Sequence, residues 1–141
     1  MGQINSYYIR IGMLGSNKYI DKIKVKNKMF ELKKKFGSRL VILSGGEKCG
    51  AESYVKKHAI DLELKYHEYN SAHTQKNAYS MMHEAYYGKP YHASQYFHKT
   101  NNIIKNSHIV VIFQPLNEEN SGMDYAKKRC EKLGIKYYIV N

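Results

Sequence analysis

Tryptophan is absent from this chain, and proline and cysteine occur only twice each in 141 residues. No stretch carries the Pro, Gly and Ser bias of a linker, so residues 1–141 are expected to form one domain. Cys49 and Cys130 are too few and too far apart for a disulfide framework or a zinc ribbon, and both are expected as free thiols. Long apolar runs are lacking too. None approaches the roughly 20 residues that span a bilayer, and residues 1–6 have neither the basic nor the apolar region of a signal peptide. A soluble, cytoplasmic chain with no membrane partner is the expectation. Gly2 and Ser6 do fit a loose myristoylation pattern, which matters only in a eukaryotic host. Internal repeats are not found.

Acidic residues are scarce as well, 12 against 23 lysines and arginines, for a formal charge of +11. Such a field concentrates phosphates and polyanions, and it favours an anionic partner without naming one. Lys22, Lys24, Lys26, Lys28, Lys33, Lys34 and Lys35 fall within one helix-length segment. That run is either a solvated helix face or a nucleic-acid contact. The 14 tyrosines can stack on bases, but tyrosine packs equally well at core edges and interfaces.

What is present is an alternation of strand and helix signals. Residues 7–14 form a first strand ended by Gly15-Ser16-Asn17, and a helix follows over 18–36 with Ile20, Ile23, Met29, Phe30, Leu32 and Phe36 at roughly helical spacing and Gly37 as its cap. A second strand is expected over 39–43, a helix over 51–59 and a third strand over 62–66. Residues 67–98 are longer and more variable, with short helices expected over 76–87 and 94–105. The first would bury Ala78, Met81, Met82 and Ala85, the second Phe97, Ile103 and Ile104. His108-Ile109-Val110-Val111-Ile112-Phe113 is apolar almost throughout, as a strand buried on both faces should be. The loop 114–121, a helix over 123–133 capped by Gly134 and a strand over 136–140 complete the chain. The pattern predicts an α/β fold: a Rossmann-like, doubly wound, mainly parallel five-stranded sheet flanked by helices.

In such a sheet, ligands bind beyond the carboxyl ends of the strands, where the strand order reverses. Three loops with small residues converge there: Gly15-Ser16-Asn17, the Ser44 to Gly50 turn, and Gln114 to Gly122 opening onto a helix. Backbone N–H groups at Ser44-Gly45-Gly46 and at the helix start can hold an anion, or the glycines can simply serve a tight connection. Neither G-x-G-x-x-G nor G-x-x-x-x-G-K-[ST] occurs, which excludes the standard dinucleotide and P-loop readings.

These residues, Leu14-Gly15-Ser16-Asn17, Leu43-Ser44-Gly45-Gly46 with Gly50-Ala51-Glu52, Asn101 ahead of Ser107 to Phe113, and Ser121-Gly122, resemble the SLOG superfamily. The match is closest to its YspA-like, YpsA-related branch. Relatives of that branch include the DNA-processing protein A fold and the lysine-decarboxylase-like phosphoribohydrolases. The resemblance implies a nucleotide or nucleotide-derived ligand at the glycine loops and no other required cofactor. The implied ligand-binding set is Gly15, Ser16, Asn17, Ser44, Gly45, Gly46, Lys48, Gly50, Asn101, Ser121 and Gly122. Asn17 stands where the family carries arginine, and Glu52 where aspartate is commoner. Thr100 takes the place of the arginine before Asn101, with Lys99 or His98 as the nearby base. Ser121-Gly122-Met123-Asp124 replaces a Gly-Gly-Thr type loop, so Met123 and Asp124 bring bulk and negative charge where a phosphate would sit. The phosphoribohydrolase signature Pro-Gly-Gly-x-Gly-Thr with its glutamate is absent.

For catalysis the candidates are Glu52 and Asn101, Glu52 being also an ordinary first-turn helix residue. The seven histidines match no zinc template, and no metal is expected. Glu84, Glu118 and Glu119 are expected in solvent. Tyr86, Tyr87, Tyr91 and Tyr96 suit a lid over a base, an oligomer contact or plain packing, and a homo-oligomer is the expected assembly. Three functions remain open: a binding module for a nucleotide-type ligand, an N-glycosidic-bond hydrolase or transferase, and a nucleic-acid-binding protein.

Overall fold

A computed structural model describes residues 7–69 and 93–141. Its elements are β1 (Ile9–Gly15), α1 (Lys22–Phe36), β2 (Leu40–Ser44), α2 (Ala51–Asp61), β3 (Lys65–Glu68), α3 (Ala93–Lys105), β4 (Ile109–Phe113), α4 (Ser121–Leu133) and β5 (Lys136–Val140), with a 3-10 turn at Gly37–Arg39. The strands pair in parallel in the order β3-β2-β1-β4-β5. This is the expected Rossmann-like α/β sheet. The order reverses between β1 and β4, and every strand ends on the same edge.

Residues on alternate positions of the central strands face opposite sides of the sheet, and each side buries its own cluster. Ile11, Met13, Leu40, Ile42, Val111 and Phe113 pack under Val25 and Met29 of α1 and Ala51, Val55 and Ala59 of α2. On the other side Leu14, Val41, Leu43, Val110 and Ile112 meet Ile103 and Ile104 of α3 and Met123, Ala126 and Cys130 of α4. Each large side chain buried in this way is worth about 1.5–3 kcal/mol. Phe97, expected in the core beside Ile103 and Ile104, is half-buried with its ring 4.6 Å from that of Tyr125.

The core stripe of α1 differs from the expected one. Val25 and Met29 are fully buried, with Leu32 and Phe36 packed behind them, whereas Ile20, Ile23 and Phe30 are 82%, 70% and 50% exposed. The spacing Val25, Met29, Leu32, Phe36 follows the helical repeat more closely than the stripe that includes Ile23 and Phe30. Ile20 is not helical: Asp21 caps α1 by accepting from the Lys24 amide at 3.0 Å, so the helix starts at Lys22 rather than Lys18. The lysines of α1 lie on its outer side or half-buried at its flanks. Strand three also shifts. The Leu62 and Leu64 amides donate to His58 and Ala59 carbonyls at 2.8 Å, and Glu63 turns the chain at φ +56°, so β3 starts only at Lys65.

Gly37 and Gly134 cap their helices as expected, Gly134 in the left-handed conformation. The helix expected over 76–87, with Met81, Met82 and Glu84, and the tyrosines Tyr86, Tyr87 and Tyr91 lie outside the described residues. No described helix is long and apolar enough to cross a membrane.

Candidate functional site

The loops after β1, β2 and β4 meet at the point where strand order reverses, and a carboxylate ties the first two. Glu52 stands in the first turn of α2, 3% exposed. Its Oε2 accepts from the Gly15 amide at 3.3 Å and its Oε1 from the Gly45 amide at 3.1 Å. The Ser16 carbonyl in turn accepts from the Ala51 amide at 3.2 Å, and the Ser44 hydroxyl donates to the Met13 carbonyl at 2.8 Å. Gly15, Ser44, Gly45 and Glu52 therefore form the internal frame of the site. Close packing demands the small residues: a Cβ on Gly15 would lie 2.3 Å from that of Ala51. At Gly50 the backbone has φ +81° and the Asn17 Cα would be 2.3 Å from a Cβ, so both conformation and space require glycine.

A second carboxylate ties in the third loop. Glu118, expected in solvent, is half-buried and accepts from the Ser16 hydroxyl at 2.9 Å through Oε2. The loop is anchored by buried Gln114, whose amide donates to Val140 O at 3.0 Å and whose Nε2 donates to Glu118 O at 2.9 Å. Asn120 caps α4 by accepting from the Met123 amide at 3.1 Å, so the helix starts at Ser121 instead of Met123. The Asn-Ser pair ahead of an apolar residue is a helix-start signal that sequence reading passed over. Of the two residues expected to crowd that helix start, Met123 is buried in the core, whereas Asp124 keeps its charge in the first turn of α4, exposed and 3.8 Å from Lys127. Ser121 is exposed and Gly122 buried, and among the described residues their amides carry no hydrogen bond.

α3 contributes a cation. Lys99 is 7% exposed and its ammonium pairs with the Glu47 carboxylate of the β2 loop. A Cβ on Gly45 would meet Glu52 Oε1 at 2.6 Å and Lys99 Nζ at 3.1 Å, so Lys99 is seated directly over the glycine turn. Of the two bases named as substitutes for a family arginine, Lys99 is placed here, while His98 is exposed. Thr100 is buried. Asn101 turns elsewhere: its Oδ1 accepts from Arg129 Nε of α4 at 2.9 Å. Asn17 and Lys48 are exposed on their loops, Gly46 has φ +67°, and the amides of Gly46, Lys48 and Cys49 carry no hydrogen bond among the described residues. Beside Gly46 the Glu68 carboxylate takes the Tyr66 hydroxyl at 3.1 Å and Lys56 at 3.1 Å.

Burial pushes the Glu52 carboxyl up to about 7; Lys99 opposes that rise, Glu47 adds to it, and the amides of Gly15 and Glu47 hold it down. Desolvation wins because the group has almost no contact with water. The other carboxylates of the site are each engaged, Glu47 with Lys99, Glu68 with Lys56, and Glu118 with Ser16. Among the described residues no three His, Cys, Asp or Glu side chains converge as a metal would need.

Fold and site together define a Rossmann-like domain with a composite loop site at its carboxyl edge. No family model matches the chain, and no curated protein matches it in sequence. The solved structures that share its fold include two molybdenum cofactor proteins. One is the molybdenum cofactor carrier protein of Chlamydomonas reinhardtii, at TM-score 0.61 and 11% identity over 94% of this chain and 76% of that one. The other is the molybdenum cofactor binding protein from the phototrophic bacterium Rippkaea orientalis, at TM-score 0.63 and 12% identity over 96% of this chain and 79% of that one. At such identities the likeness is one of fold.

Proposed function

We propose that this chain is a binding module that holds a small, anionic, nucleotide-type ligand at the carboxyl edge of its sheet. The observation that carries the reading is Lys99, a buried cation seated over Gly45 and paired with a carboxylate from the same loop. A cation in that position is a recognition group for a phosphate, and Glu47 holds it until an anion of higher charge takes its place. The unbonded amides of Gly46, Lys48 and Cys49, and those of Ser121 and Gly122 at the start of α4, supply further donors on either side. Gly15, Ser16, Ser44, Gly45 and Gly50 hold these groups in place from behind, while Asn17 lies on the rim. The SLOG-like sequence of the glycine loops supports the same reading, as do two fold neighbours named for holding a molybdenum cofactor.

An N-glycosidic-bond enzyme draws less support. Glu52 has both oxygens occupied by backbone amides, and Asn101 is held by Arg129, so neither candidate is poised as an acid or base. The test is calorimetric titration with a panel of nucleoside mono-, di- and cyclic phosphates. One ligand is expected to bind selectively and to be recovered unchanged. Silence across the panel, or release of free base, would contradict the proposal.

A further inference from the structure

We propose that the face of β1, β2 and β3 turned away from α1 and α2 carries a second ligand site, for a small anion that bears an aromatic ring. Across these strands Arg10, Val41 and Lys65 share one register row, and Gly12, Leu43 and His67 the next on the same face. A cavity of about 610 Å³ opens over these rows, within the roughly 300–1,000 Å³ of small-molecule sites. Buried Val41 and Leu43 form its floor, and the rings of Tyr8 and Tyr69 stand at its sides. The ionisable groups at its wall include Arg10, Lys65 and His67, and no carboxylate lines it among the described residues.

Arg10 is the fixed cation of this face. Its Nε donates to the Asn106 carbonyl at 2.6 Å, which fixes the guanidinium plane. Its terminal nitrogens make no hydrogen bond or ion pair among the described residues, and the half-buried guanidinium lines the cavity. The Arg10 charge is felt at Tyr69, whose hydroxyl burial pushes up and Arg10 pulls back. Over Gly12 the face is already covered: a Cβ there would lie 2.4 Å from Ser107 Oγ, just past α3, and 3.1 Å from Ile103 Cγ2 of α3. An apolar floor flanked by tyrosines takes a ring, and the fixed guanidinium takes a phosphate or sulfonate; the Lys65 ammonium, which donates to the Ser38 carbonyl at 2.9 Å and lies 5.6 Å from the Tyr8 ring centroid, adds its field. The size of the cavity limits the occupant to one small molecule. None of these residues belongs to the loop site, so the two sites stand or fall separately.

Amide NMR titration of the whole chain with adenosine monophosphate and with 1-naphthyl phosphate tests this. Either compound is expected to move the amides of Val41, Leu43, Lys65 and His67. Arg10→Gln is expected to weaken that response about tenfold while leaving any response at Gly46 and Lys48 as it was. Lys65→Gln, which removes an exposed charge, repeats the test if Arg10→Gln disturbs folding. Inorganic phosphate and adenosine should each act more weakly than the combined molecule. Shifts confined to Gly46 and Lys48 would overturn this inference and leave the loop site standing. So would silence at the four sheet amides with both compounds, or a response there indifferent to both substitutions.

Discussion

Glu52 shows how one residue can decide what a site is able to do. It lies where a base or a ribose ligand would lie, yet its two oxygens join the turn after β1 to the turn after β2. Glu52→Ala leaves two buried amides without acceptors, and the expected cost is roughly 2–4 kcal/mol in urea denaturation. The carboxyl also makes stability depend on pH. Its folded pKa, about 7, exceeds the ordinary 4.5, so the folded state binds the extra proton. That contribution is complete below about pH 4.5 and is lost as pH rises through 7, so stability falls over this window. Glu52→Gln should remove that fall, so that its unfolding free energy loses this decline between pH 4.5 and 7 while that of the parent keeps it. Glu52 stood out in the sequence as a polar residue opening a helix beside a glycine turn. Its role as a strut did not, because its partners are amides 37 and 7 positions away.

Among the elements, α1 separates pattern from packing. Ile23 and Phe30 sit on its outer crest between lysines, and Met29 faces the core. Met29→Ala is expected to cost about 2–5 kcal/mol, whereas Ile23→Ser and Phe30→Ser should stay within about 0.5 kcal/mol of the parent in the same denaturation assay. Val25 was hidden from sequence reading by the lysines on either side of it, and Ile23 was misplaced because hydrophobicity alone does not fix the angle of a stripe. Asp21 sets the start of α1 and Asn120 that of α4. Asn120→Ala should lower stability by about 1 kcal/mol, checked by thermal unfolding, and should loosen the loop that carries Glu118. Runs of β-branched residues made β2 and β4 legible, whereas β3, with Lys65-Tyr66-His67-Glu68, has no such run and was displaced by three residues.

At the scale of the molecule, the alternation of elements and the handedness of parallel crossovers call for an open parallel sheet whose strand order reverses, which is why the convergence of the three loops is legible in the sequence although the order β3-β2-β1-β4-β5 is not. The ties between the loops were not. Glu118 reaches Ser16 across 102 positions and Lys99 reaches Glu47 across 52, and nothing local in either segment marks such a pairing. Of the site's carboxylates Glu47 and Glu68 are paired with lysines, and the +11 charge of the chain adds a long-range field that favours an anion. In the proposed site Lys99 is the cation and Glu47 the group a ligand displaces. Titration of the nucleotide selected by the calorimetric panel into Lys99→Met and Glu47→Gln tests this most directly, because the two changes act in opposite directions. Lys99→Met should weaken binding about tenfold or more, and Glu47→Gln should tighten it severalfold. Binding unchanged in Lys99→Met, or weakened alike in both variants, would overturn these roles of Lys99 and Glu47.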